Sequence, residues 1–117
     1  MQMETRKYEA EVKEVFSGDD LILMIDLGVD NLHKRARVRL HGVDTPSAIR
    51  AGADTEAGKV RAYVRNLIRD KRVTLTVVSR AENSWVGIIE YEVSGTLFNL
   101  NDDLMAQGFK FKREKAT

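Results

Sequence analysis

Lys34-Arg35-Ala36-Arg37-Val38-Arg39-Leu40-His41-Gly42-Val43-Asp44-Thr45-Pro46 is the stretch on which the reading of the fold turns. Ala36, Val38 and Leu40 alternate with Arg35, Arg37, Arg39 and His41, the period-2 pattern of a strand with one face in a core and one in water. Pro46, the only proline, closes the strand because it has no N–H to give a ladder. Upstream, Tyr8 to Phe16 alternates imperfectly and Leu21 to Leu27 is a nearly continuous apolar run, with the short turn Ser17-Gly18-Asp19-Asp20 between them. Gly28-Val29-Asp30-Asn31 then supplies turn residues before the third strand, so the three segments read as a meander.

Downstream of Pro46, Ser47 to Ala53 is a loop of small residues without periodicity. Asp54 or Thr55 can cap a helix there, since either side chain accepts from the free N–H groups of a first turn. Ala57, Val60, Val64, Leu67 and Ile68 recur at helical spacing and predict one face packed on the sheet. Val73 to Val77 and Trp85 to Val93 read as strands four and five, with Ser94-Gly95 as the turn after them. A short helix is expected from Asn101 to Gln107, stopped by Gly108. Five strands, a helix between the third and fourth, and a short helix after the fifth define an α+β class in the order of an OB-fold-like β-barrel.

The 117 residues, 43% apolar and 32% charged, suit a single domain (residues 1–117) with one modest core. Zero cysteines exclude disulfides and thiolate metal sites. His33 and His41 have no ligand spacing with another histidine, which argues against zinc or iron. No apolar run resembles a signal sequence or reaches membrane-spanning length, so a soluble, cytoplasmic chain without a membrane partner is expected. The net charge of +1 conceals basic runs at Lys34–Arg39 and Lys59–Arg72, and local fields rather than net charge would attract a polyanion.

Asp19, Asp44 and Arg39 fall at the ends of apolar strands. Carboxylates are hard oxygen ligands for a divalent cation, and a guanidinium pairs bidentately with phosphate oxygens, so the set can hold a cation and a phosphate together. The simpler reading makes Asp19 a turn residue, Asp44 a cap for the loop before Pro46, and Arg39 one more residue on a solvated strand face. Asp20 adds a further carboxylate, which either strengthens a cation site or faces solvent.

Gly18-Asp19, Arg39-Leu40, Val43-Asp44-Thr45-Pro46, Gly87 and the closing Leu100-Asn101 with Leu104, Gln107, Gly108 and Phe109 together resemble the staphylococcal nuclease, or thermonuclease-like, family from about Tyr8 to Phe111. The resemblance implies calcium ligands at Asp19, Asp44 and the Thr45 carbonyl, and a phosphate contact at Arg39. It also marks two departures. Ser47 stands at the position of the general base, and a hydroxyl cannot take a proton from water near neutral pH. Val86 stands at the position of a second phosphate-binding arginine. Positioned acid–base catalysis contributes roughly 10²–10⁴-fold and one preorganised donor roughly 10²–10³-fold, so hydrolysis is expected to be weak or lost and any calcium binding weak. Glu56 and Arg80 are the available substitutes, although Glu56 also suits the positive end of its helix and Arg80 a solvated position. The resemblance further implies a C-terminal helix under the barrel, for which the residues after Phe109 are too few; Phe109, Phe111, a second copy or another protein would cover that surface.

Two basic faces are candidates for DNA or RNA: Arg35, Arg37 and Arg39 on the third strand, and Arg61, Arg65, Arg69 and Arg72 at helical spacing opposite Val60, Val64 and Leu67. Trp85, Tyr91, Phe109 and Phe111 are either stacking groups or core. Three functions are therefore open: a nucleic-acid-binding nuclease-like domain with hydrolysis weak or lost, an active calcium-dependent nuclease using replacements, and a protein-interaction or homo-oligomerisation module.

Overall fold

A computed structural model describes residues 6–46, 52, 54–81 and 84–109. Strands β1 (Lys7–Ser17), β2 (Asp20–Asp26) and β3 (His33–Leu40) are followed by helix α1 (Glu56–Ile68), then β4 (Arg72–Arg80), β5 (Ser84–Val93), the short β6 (Thr96–Asn99) and helix α2 (Leu100–Ala106). The strands lie in the order β3-β2-β1-β4-β5-β6. A parallel pairing of β3 with β5, from Arg37 opposite Ser84 to Leu40 opposite Gly87, closes the first five into a mixed OB-fold-like barrel. The long β1 makes this possible by pairing β4 with its first half and β2 with its second.

The imperfect alternation of β1 has a local cause. Its inward side chains are Ala10 and Val12, then Val15 and Ser17, and the phase changes where the register with β2 breaks between Val12 and Glu14. An extra residue at such a bulge turns the following side chains to the other face and bends the strand. On β2 the odd residues Leu21, Leu23 and Ile25 are fully buried, whereas Ile22 and Met24 are half-covered on the outer face, which is why its sequence looks continuously apolar. Val38, Leu75, Val77, Trp85 and Ile89 complete the interior.

Thr55 is the N-cap of α1: its Oγ1 accepts from the Gly58 N–H at 3.0 Å and donates to the Gly52 carbonyl at 2.7 Å. Ala57, Val60, Val64 and Ile68 are the buried face of the helix. Arg61 and Arg65 follow Val60 and Val64 by one residue, about 100° further round, and are half-buried on its flank instead of opposite the core. Arg69 is the C-cap and Arg72 opens β4, so the expected four-arginine helical stripe is not continuous.

Two elements differ from expectation. The third strand ends at Leu40, with Val43 forming only an isolated bridge. After Ser94 and Gly95, both at positive φ, the chain returns as β6 against β5 before entering α2. Asn99 then caps α2 by accepting from the Asp102 N–H at 2.9 Å. No helix among the described residues is long and apolar enough to cross a membrane.

Candidate functional site

The β1–β2 turn places Asp19 against the end of β3. Its backbone carbonyl accepts from Leu40 N–H at 3.0 Å, and its carboxylate, nearly excluded from water, is surrounded by donors. Oδ1 accepts from Ser17 Oγ and Thr45 Oγ1, both at 3.0 Å, while Oδ2 meets the Arg39 guanidinium at 3.4 Å. Gly18 is required by the closeness of this packing: a Cβ there would lie 2.4 Å from Val60 Cγ1 and 2.8 Å from Thr45 Cγ2. The turn, the segment after β3 and α1 thus meet at one point.

Of the residues singled out in the sequence, Asp19, Thr45 and Arg39 come together. Asp44 lies at the solvent surface, with its N–H donating to the Phe109 carbonyl at 2.9 Å. Ser47 falls outside the described residues, as does Phe111. Val86 stands directly opposite Arg39 in the β3–β5 register, so the two side chains share the outer face and no second cation occupies the paired position. Glu56 is exposed in the first turn of α1, the simpler of its two expected places.

Asp20 does not face solvent. It is buried and takes a two-pronged ion pair from Arg37, with Nε to Oδ1 at 2.8 Å and Nη2 to Oδ2 at 2.5 Å. Arg37 also lies over the Phe16 ring, 5.5 Å from its centroid. The hydrogen bonds that Arg37 donates to Asp20, and then the Asp20 charge, raise the Arg37 pKa further above its usual value. Among the described residues, no group of three His, Cys, Asp or Glu side chains is placed to hold a metal ion.

The three arginines of β3 therefore differ. All point outward, but Arg37 is committed to Asp20, Arg39 is held more loosely by Asp19 with about half of its side chain exposed, and Arg35 is exposed with no ion pair among the described residues. Trp85 and Tyr91 belong to the core and are not available for stacking. Phe109 is half-buried against that core. Arg80, expected in solvent, is exposed but lies over the Trp85 ring at 5.3 Å from its centroid.

Asn101, expected at a helix start and among the residues that carry the resemblance, has a bonding role that neither expectation specified. Buried in the first turn of α2, it accepts from Ile89 N–H at 3.0 Å and donates to the carbonyls of His41 at 2.9 Å and Gly87 at 3.1 Å. One side chain thereby ties β5 to the segment after β3. Its flanking by Leu100 and Leu104, both fully buried, is the only sequence signal that it too points inward.

Comparison of the sequence with models of known protein families and with curated proteins yields no match. Fold and site define the chain as an OB-fold-like barrel carrying a buried carboxylate–hydroxyl–arginine cluster at its first turn.

Proposed function

We propose that this is a nucleic-acid-binding domain akin to the staphylococcal nuclease family, with phosphodiester hydrolysis weak or lost. The observation that carries the reading is the outer face of β3, where Arg35 and Arg39 are presented, Arg39 beside the buried Asp19 turn and with Val86 opposite it. OB-folds receive single strands on the face of their second and third strands, and guanidinium groups there would neutralise phosphates without reading sequence. Loss of hydrolysis rests on Ser47 and Val86, neither of which can supply a base or a transition-state charge. Calcium binding at Asp19, Asp44 and Thr45 is expected to be weak: Asp19 already accepts from two hydroxyls and pairs with Arg39, the charge a cation would have to offset.

The experiment is a titration of single- and double-stranded DNA and RNA at several salt concentrations, beside a cleavage assay with and without calcium. Affinity should fall with salt, with a log–log slope of about −0.7 per neutralised phosphate on single strands. Arg35→Glu with Arg39→Glu should abolish most of the binding, and Arg61→Glu with Arg65→Glu should change it less. Robust calcium-dependent cleavage would instead select the active nuclease.

One observation favours the second reading, a protein-interaction or oligomerisation module. Val93, Leu97 and Phe98 are exposed on the β5–β6 hairpin, Phe98 stacks on Tyr91 at 5.7 Å between centroids, and β6 is a sheet edge. Apolar edge strands are sites of strand addition. No nucleic-acid binding at low salt, together with a dimer that Leu97→Lys disperses in light scattering, would make this the better reading.

A further inference from the structure

Two cations lie at the end of the barrel away from the Asp19 turn. Lys34 has the parity of Ala36 and Val38 and pairs in register with the buried Ile25, so it points inward at the entrance of the barrel. It is half-buried and, among the described residues, has no ion-pair partner. Arg80 ends β4 opposite Trp85 and, past the irregularity between Val77 and Ser79, shares the inner face with it. Trp85 is buried beneath Arg80 on one side and packs against Tyr8 on another, with ring centroids 5.8 Å apart. Leu27, Lys34, Arg80, Ala81 and Trp85 line a cleft of about 400 Å³.

The cleft combines an apolar wall, an ammonium and a flat guanidinium backed by an aromatic ring. Barrel mouths are common ligand sites, and bases stack on guanidinium planes as they do on aromatic rings. Packed over the indole, the guanidinium has less rotamer entropy to lose when a planar group is added. Lys34 supplies a compact charge for a phosphate. We infer that this mouth binds one nucleotide unit, with its base stacked on Arg80 and its phosphate paired with Lys34. The inference extends the nucleic-acid reading, but it rests on residues separate from Arg35 and Arg39.

Trp85 is the only tryptophan in the chain and lines this cleft, so its fluorescence can report on it. The purified protein is titrated with 5′-AMP, adenosine, inorganic phosphate and a 5′-phosphorylated tetranucleotide, with calorimetry in parallel. AMP should change Trp85 emission saturably and bind at least about tenfold more tightly than adenosine or phosphate. Arg80→Met and Lys34→Met should each weaken AMP by about tenfold, and Arg80→Lys should lower AMP affinity to that of phosphate; circular dichroism establishes that each variant is folded. The saturable Trp85 response to AMP should persist in Arg35→Glu with Arg39→Glu, which separates failure here from failure of the β3 face. A tetranucleotide tighter than AMP assigns the mouth to a strand end; equal or weaker binding assigns it to a free nucleotide. The inference is overturned if AMP binds no better than phosphate, if neither method detects AMP or the tetranucleotide, or if folded Arg80 and Lys34 variants bind as the parent does.

Discussion

At the scale of the residue, the neighbouring carboxylates of the first turn have different assignments. Asp19 accepts from hydroxyls and a loosely held arginine, whereas Asp20 is locked to Arg37. Arg37 is therefore a structural cation even though it shares a face with Arg35. Arg37→Glu should destabilise the fold by about 2 kcal/mol, after discounting for the exposed half of its side chain, because it sets a carboxylate against buried Asp20. Arg35→Glu should stay within about 0.5 kcal/mol of the parent. Urea denaturation of the two variants checks the difference, and equal stabilities would contradict the assignment. The nearness of Asp19 and Arg39 was legible in their positions at strand ends, whereas Asp44, expected with them, lies at the surface, and Thr45, expected through the family resemblance to offer its carbonyl, meets Asp19 with its hydroxyl instead. The Asp20–Arg37 pair was not legible, because Asp20 faces Arg39 in register and reaches Arg37 only along the diagonal.

Among elements, α1 and α2 are joined at their surfaces by Tyr63, whose hydroxyl donates to Asp103 Oδ2 at 2.5 Å. That hydrogen bond, then burial, push the Tyr63 pKa up to about 12 from 10.0. A raised tyrosine pKa means that the folded state favours the neutral phenol. Its contribution is complete below pH 10.0 and is lost as pH rises from there through about 12. An absorbance titration of the phenolates should show a late step that Tyr63→Phe removes, and the variant's stability should vary less with pH across that window. A late step that survives the substitution would place it elsewhere, with Tyr91, whose pKa burial also raises, as the alternative source. The barrel strands and α1 could be read from periodicity because each has one face fully buried. The short β6 escaped notice for the opposite reason: Thr96, Leu97 and Phe98 are all exposed, so burial imposes no alternation on them.

For the whole molecule, the critical joint is the β3–β5 seam. Gly87 sits where β5 crosses β4 so closely that a Cβ would lie 2.6 Å from the Thr76 carbonyl oxygen and 2.7 Å from Leu75 Cδ1. Its own carbonyl accepts from His41 N–H at 2.8 Å and from Asn101. Asn101→Ala would leave the Ile89 N–H and the His41 carbonyl without their side-chain partner in a buried setting. The expected cost is about 2–4 kcal/mol, read as a lower urea midpoint with an unchanged m-value. A loss below about 0.5 kcal/mol would show that the seam does not depend on this side chain.

The same joint sets an order of events when the chain is synthesised. Strands β1 to β5 leave the ribosome before Asn101 does, so β3 and β5 can meet while the groups that Asn101 will satisfy are still open. Parallel pairing between distant segments is slow to form and prone to taking the wrong partner. During that interval the nascent barrel exposes an unsealed edge, open to pairing with the wrong strand.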